Sequence, residues 1–461
     1  MREEERRILF EKTGVARAVA RLAVPTMIGQ IIGVVYNMAD TFFIGLANSD
    51  AKLSAVTICL PAFMLLSAIA NLFGIGGAAT ISRALGSGNR DRALAAASFS
   101  FWGCAAGALL YSALTFLFRK QYLYLLGGIH AAVRDEAAVY LNVTVVIGGV
   151  FTALNSLLSH LVRSEGRAVK ASIGVVLGGV LNIVLDPLFM FRILPPGREV
   201  YGAALATMLS NLIACVYFLL LLPHVKKRGS VLNLRLRPRS WEKQTVKEVL
   251  QTGLPACLMT FFENVSYAVL DHLIGYGGVA MQAGIGVAKK INMLAHSIVR
   301  GMAQGILPLI AYNYGCGNRA RMRRSVGVSA LISVLLAALC MVGSLVFARP
   351  LVDVFTAHGP SQRFGVTFLR ILCLGCPFSA FGYVIISYMQ AINENRRSFL
   401  LAILRKGVLD IPMMLLLFRL AKAESTVWAT PTADVFCCLT AILFFTASLR
   451  VRDGRLISEP N

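Results

Sequence analysis

Two pairs of polar side chains lie inside long apolar stretches, where a charge is costly. Asp40 lies well inside the first stretch, and Tyr36 precedes it by one helical turn. Asn182 and Asp186 have the same spacing in the fifth stretch, directly before Pro187. An ionised carboxylate in hydrocarbon must find a cation, a proton or a donor, so both acids are candidate cation or proton sites. The alternative is that they are satisfied structural acids.

Pro187 adds a backbone oxygen to the second pair. Proline has no backbone N–H, so it frees the carbonyl of Ile183 four residues earlier. A carboxylate, an amide oxygen and a free carbonyl within one turn are oxygen ligands that suit a hard cation or a protonated water. In the alternative interpretation, Pro187 only kinks the helix and Asn182 caps the freed groups.

The clearest buried acid of the second half is Glu263, which lies among aromatic residues. Its carboxylate could neutralise a lipophilic cation while the rings of Phe262 and Tyr267 hold the body of that cation. We therefore predict that these three residues line a substrate cavity. The alternative is that Glu263 is paired with Asn264 or with a lysine.

Membrane-spanning helices must position these residues. Of 461 residues, 57% are hydrophobic and only 15% are charged, and the mean hydropathy is +0.68, which excludes an ordinary soluble protein. Backbone groups must be paired inside a bilayer, so the apolar stretches are helices and the fold is all-α. About twelve stretches are long enough to cross the bilayer, namely 18–46, 53–84, 93–118, 136–162, 168–191, 202–223, 246–275, 280–311, 325–347, 364–393, 398–418 and 426–449.

The chain repeats itself at a nearly constant offset. Three landmarks recur 230, 231 and 229 residues later, as the pairs Pro25 and Pro255, Asp40 and Asp271, and Asn89 and Asn318. Such a repeat indicates a duplicated bundle, from which many transporters are built. We predict a first lobe at 1–224, a linker at 225–245 and a second lobe at 246–461.

The net charge of +22 orients the chain rather than binding nucleic acid. Basic residues are concentrated in the even-numbered connections, including Lys226, Lys227 and Arg228 of the central linker. This bias predicts a multi-pass protein with both termini and the linker in the cytoplasm. No histidine pair has the helical spacing of metal ligands, so no metal site is expected. The sequence also shows no nucleophile placed beside a base, so we do not expect an enzyme.

Several of these residues resemble the multidrug and toxic compound extrusion (MATE) family. The resemblance covers essentially the whole chain. It is carried by Pro25, 36–45 (Tyr-Asn-Met-Ala-Asp-Thr-Phe-Phe-Ile-Gly), 85–89 (Leu-Gly-Ser-Gly-Asn), 163–166 (Arg-Ser-Glu-Gly), 182–187 (Asn-Ile-Val-Leu-Asp-Pro), Ala206 with Thr207, 304–308 (Gln-Gly-Ile-Leu-Pro) and 312–315 (Tyr-Asn-Tyr-Gly).

The resemblance implies twelve transmembrane helices in two pseudo-twofold-related six-helix lobes with a V-shaped cavity between them. It also implies export of organic cations and other amphipathic drugs from a monomer in the inner (plasma) membrane, among its lipids. Inward flow of H⁺ or Na⁺ would drive export, with no other cofactor. Asn155 and Thr207 are the matching polar positions beside the first-lobe acids, and Pro25 is the place where the first helix would bend.

Two alternatives remain open at this stage. A lipid-linked precursor flippase of the same superfamily would need a basic cavity for its anionic headgroup, whereas the mid-span charges noted above are acidic. A polytopic membrane transferase would need a large catalytic loop, and the outer connections are short. Some family members carry an acid in the tenth helix of the second lobe. In this chain the matching residues, 377–383, contain no acid. The departure argues against a second-lobe cation site built with that acid.

Overall fold

A computed structural model describes residues 3–47, 49–125, 131–227, 229–232, 234–236, 241–355 and 359–456. Helices form nearly all of this part, and no β-strand occurs in it. The first half contains α1 (Glu3–Arg7), α2 (Val15–Gly45), α3 (Asp50–Gly86), α4 (Arg90–Leu117), α5 (Arg119–Leu125), α6 (Ala131–Leu141), α7 (Gly149–Ser164), α8 (Ala168–Leu188) and α9 (Glu199–Lys226).

The second half repeats this order of long helices. It contains α10 (Lys243–Gly275), α11 (Val279–Gly315), α12 (Arg319–Val346), α13 (Ala348–Asp353), α14 (Pro360–Cys373), α15 (Cys376–Ala391), α16 (Asn395–Ile403), α17 (Ile411–Ala421) and α18 (Ala429–Leu456). Residues 228, 233 and 237–240 of the predicted linker lie outside the described residues. Its described part packs on the first half, where the Ser230 hydroxyl and the Val231 backbone N–H each donate to Glu165.

Within the described residues, nine helices are long and apolar enough to span a membrane. Two bent pairs, residues 133–164 with a 50° bend and residues 360–391 with a 44° bend, raise the number to eleven. The predicted twelfth span, 398–418, is divided into α16 and α17 by a wide helical turn at Leu404–Asp410. This turn carries Arg405, Lys406 and Asp410, which lower its hydropathy.

The halves contact each other through two crossings at matching positions. Helix α3 packs against α10, and α2 packs against α11. A Cβ atom added to Gly253 would lie 1.7 Å from the Leu72 carbonyl oxygen, and one added to Gly301 would lie 2.5 Å from the Met27 Cα atom. Both crossings therefore require glycine, because the two backbones touch.

At the end of the bundle that holds α1, which we call the terminal face, charged groups join the halves. Arg83 of α3 donates to Glu248 of α10 at 3.0 Å and to the carbonyl oxygens of Gln390 and Ala391 at 2.7 and 3.1 Å. Arg92 also pairs with Glu248. The Tyr312 hydroxyl donates to Glu11 at 2.7 Å, which adds the N-terminal segment to this closure.

Candidate cation and substrate sites

The two first-half acids are both buried in the protein interior. Asp40 on α2 is 7% exposed and Asp186 on α8 is fully buried. The carboxylates are near enough to interact electrostatically. Glycines on α8 permit this approach, because a Cβ added to Gly179 would lie only 2.6 Å from Ile32 and 3.3 Å from the ring of Tyr36. The structure thus packs α8, which carries Asp186, closely against the part of α2 that carries Tyr36 and Asp40, and their role as a cation site stays a prediction.

A chain of side-chain hydrogen bonds extends from Asp186. The Asn182 amide donates to Asp186 and to the Thr207 hydroxyl, at 3.3 Å each. The Asn211 amide donates to the Thr207 carbonyl at 2.9 Å, and the Asn155 amide donates to the Asn211 side-chain oxygen at 3.0 Å. Helices α7, α8 and α9 therefore bring together the polar residues selected from the sequence. Asn211 was missed, although it lies four residues after Thr207.

The acceptors of this cluster outnumber its donors. Four buried side-chain oxygens have no donor among the described residues: Asp40 Oδ1, Asn155 Oδ1, Asn182 Oδ1 and Asp186 Oδ2. No basic side chain is paired with either acid in the described part of the chain. Unpaired buried oxygens of this type are satisfied by a proton or by a cation. The cluster around Asp40 and Asp186 is therefore suited to binding a proton or a cation.

Two tyrosines, Tyr36 and Tyr140, lie beside Asp40. Tyr140 of α6 is 3% exposed. Sequence reasoning missed it because it lies in a different span, one hundred residues further along the chain.

Pro25 lies inside α2, which continues as a helix through it to Gly45. The bend predicted at Pro25 does not interrupt the helix, and whether α2 bends there during function stays a prediction.

The second-half acid is arranged differently from the prediction. Glu263 on α10 accepts two hydrogen bonds from one nitrogen of Arg300 on α11, both at 2.9 Å. Its carboxylate is therefore not free for a lipophilic cation. A Cβ atom added to Gly407 would lie 3.2 Å from the ring of Phe262, and the ring of Tyr267 lies 5.5 Å from the Lys406 ammonium. These aromatic residues thus contact the wide turn between α16 and α17.

The wide turn between α16 and α17 and the helix α18 hold a buried charge network that we did not predict. Arg405 donates to Asp434 at 2.7 Å, and Lys406 donates to Asp410 at 2.8 Å. The hydroxyls of Ser266 and Thr430 also donate to Asp410, at 2.6 and 3.1 Å. The signal was present in the sequence, since charged residues inside apolar stretches mark functional or paired sites.

The comparisons with known proteins bear on both halves. The sequence model of the MatE family matches residues 25–188 and then residues 255–416. The two matches begin 230 residues apart, in agreement with the offset of the landmark residues, and together they cover most of the chain. The chain belongs to the multidrug and toxic compound extrusion (MATE) family. It is accordingly a multi-pass membrane protein of a transporter family.

MATE-family relatives match along nearly their whole length. The multidrug export protein MepA of Staphylococcus saprophyticus is 29% identical over 442 residues, which is 96% of each chain. MepA of Staphylococcus aureus strain N315 is 27% identical over 445 residues, again 96% of each chain. A crystal structure of MATE in complex with MaL6 aligns with a TM-score of 0.88 at 24% identity, covering 97% of this chain and 99% of the other. The predicted all-α, twelve-span fold class is confirmed.

The polarity of the second half corrects one expectation. We expected the mid-span charges of this MATE-family chain to be acidic. In the structure, the acids Glu263, Asp410 and Asp434 are each paired with a basic side chain, and Arg300 is the more exposed member of its pair, at 32% against 10%. The expectation was wrong because it rested on single acids rather than on the bases that adjacent helices place beside them.

Proposed function

We propose that this chain is a secondary antiporter that exports organic cations and other amphipathic drugs across the cell (inner) membrane, driven by inward flow of H⁺ or Na⁺. The observation that carries the proposal is the set of unpaired oxygens around Asp40 and Asp186. Export by the MepA relatives, which are named as multidrug export proteins, supports the substrate class. Both termini would lie in the cytoplasm, and the working unit would be a monomer.

Coupling between cation entry and substrate export requires that the two ligands prefer different arrangements of the lobes. A cation bound at Asp40 and Asp186 can shift the lobes only if it binds one arrangement more tightly than the other. Substrate must show the opposite preference for the exchange to be obligatory. The contacts of α2 with both α8 and α11 give the cation site a mechanical connection to the second half.

A transport assay in liposomes tests the proposal. Purified protein would be reconstituted, and uptake of the cationic dye rhodamine 123 would be followed with a pH gradient or a Na⁺ gradient imposed separately. We expect accumulation of the dye against its own gradient with one of the two ions. Absence of accumulation under both gradients, from protein that still binds the dye, would overturn the antiport mechanism.

A second candidate is favoured by the basic groups of the second half. A flippase for a lipid-linked precursor needs donors for an anionic headgroup, and Arg300 provides them. The same liposomes, containing a fluorescent anionic lipid, would report ion-independent movement of that lipid between leaflets if this candidate is correct.

A further inference from the structure

A crevice between the two halves contains donors that lack acceptors. It is lined by Asn71 of α3 together with residues of α10, α11 and α15. Three of its buried nitrogen or oxygen atoms have no partner among the described residues: Arg300 Nε, Tyr383 Oη and Gln390 Nε2. Tyr383 and Gln390 are 3% and 2% exposed. Burying such groups without partners is costly, so the crevice is suited to an acceptor.

The charge of the crevice favours an anionic acceptor. Glu263 and Arg300 form an ion pair, but the Arg300 side chain is 32% exposed and that of Glu263 only 10%. A single Arg300 nitrogen, Nη2, serves Glu263, and Nε has no partner among the described residues. A cation would have to displace Arg300 from Glu263, whereas a carboxylate can bind the guanidinium while that pair stays intact.

The two halves therefore offer opposite chemistry to a ligand between them. The first half has unpaired acceptors at Asp40 and Asp186, and the crevice wall of the second half has unpaired donors at Arg300, Tyr383 and Gln390. We propose that this crevice is a subsite for the carboxylate of zwitterionic amphipaths, with Arg300 as the residue that selects it. This inference rests on the proposed export function and specifies its substrate class.

A matched pair of dyes tests the subsite without any ion gradient. Rhodamine 110 carries a free carboxylate, and rhodamine 123 is its methyl ester, so the cationic ring system is the same in both. Equilibrium binding to purified protein in nanodiscs would be measured by fluorescence polarisation. We expect Arg300→Gln to weaken binding of the acid relative to the ester about tenfold, and Tyr383→Phe to weaken it about threefold, as expected for loss of an ion pair and of a single hydrogen bond to the carboxylate.

Control variants separate recognition from folding. Glu263→Gln keeps the guanidinium and should retain binding of the acid. The double variant Glu263→Gln with Arg300→Gln leaves no unpaired buried carboxylate, and it should show the same loss of preference as Arg300→Gln alone. Each variant would first be checked for a single symmetrical gel-filtration peak.

The possible outcomes are distinct. An unchanged acid-to-ester ratio in both Arg300 variants, an equal loss of both dyes, or no binding of the acid to the wild type would each overturn the subsite. Loss of acid binding in Glu263→Gln would do so as well, because Arg300 would then act only through the ion pair. Failure of gradient-driven transport with the binding ratio intact would contradict the antiport mechanism and leave the subsite standing.

Discussion

At the scale of single residues, Asp40 and Asp186 differ from the other buried acids of the described residues. Glu263, Asp410 and Asp434 each have a basic partner, whereas neither first-half acid has one among the described residues. A buried carboxylate without a basic partner favours uptake of a cation or proton, because an uncompensated charge is costly to bury. A group that must bind and release an ion repeatedly is better left without a permanent counter-ion.

We expect Asp40→Asn and Asp186→Asn each to reduce gradient-driven dye transport to the level of protein-free liposomes. The amide keeps the size of the carboxyl group but cannot bind or release a proton, and it is a poorer cation ligand. Thermal stability should stay near wild type, since no basic partner is left uncompensated. Asp353→Asn, at an exposed position that accepts a hydrogen bond from Gln362, is the control. Retained coupled transport in either variant would remove that residue from the mechanism.

The Arg405–Asp434 pair should behave in the opposite way. Both side chains are 1% exposed, so Asp434→Asn leaves a buried guanidinium without its counter-charge. We expect a loss of about 3–5 kcal/mol in stability, seen as a lower melting temperature in detergent. The double variant Arg405→Met with Asp434→Leu should recover most of this loss, because it removes both charges. A melting temperature of Asp434→Asn equal to the wild type would show that the pair is not structural.

At the scale of helices, glycines determine how closely the halves approach. Gly76 and Gly253 allow α3 and α10 to cross in backbone contact, since a Cβ at Gly76 would lie 2.0 Å from the Val249 carbonyl oxygen. Gly305 permits the corresponding contact of α11 with Ala23 on α2. Gly76 and Gly305 are 229 residues apart, so the duplication reproduces the close crossing as well as the helices.

Gly253→Ala should push α10 away from α3. The added methyl group would meet the Leu72 carbonyl oxygen, which belongs to a backbone and cannot rotate away. We expect a destabilisation of about 1–3 kcal/mol from overpacking, measured by thermal unfolding in detergent. Gly327→Ala on α12, where an added Cβ meets nothing within 4 Å, should change stability by no more than about 0.5 kcal/mol. Equal effects of the two substitutions would contradict the close crossing.

At the scale of the whole molecule, ion pairs and hydrogen bonds between charged groups hold the two halves together at the terminal face. Arg83 bonds at once to Glu248 and to the carbonyl oxygens of Gln390 and Ala391, and it is 8% exposed. Glu248 also pairs with Arg92. For the cavity to open towards this face, all of these contacts between α3, α4, α10 and α15 must break together.

Glu248→Gln should therefore shift the lobes towards opening at the terminal face. The amide cannot neutralise two arginines, so the closed state loses both charge-assisted interactions. Spin labels at Ser87 and Asn318, exposed residues of the two halves, would report this by pulsed electron paramagnetic resonance in a background without the native cysteines. We expect a new population at longer distance. Glu242→Gln, outside the closure, should not produce it, and an unchanged distribution in Glu248→Gln would argue against the closure.

The sequence by itself determined the helical class, the duplication and the two polar pairs of the first half. Apolar stretches of bilayer length allow few structures other than helices, so the spans could be located from composition. Asp40 with Tyr36, and Asn182 with Asp186, are one helical turn apart, and local geometry alone placed each pair on one face. The offset of about 230 residues needed only counting.

Only the tertiary structure decided which charges meet across helices. Glu263 and Arg300 lie on different helices, as do Arg405 and Asp434, and the helix period carries no information about the rotation of one helix against another. Tyr140 and Asn211 joined the first-half cluster for the same reason. The polarity of the second half followed from these pairings. A sequence gives the charges, but the packing of helices decides which are neutralised and which are left to bind a ligand.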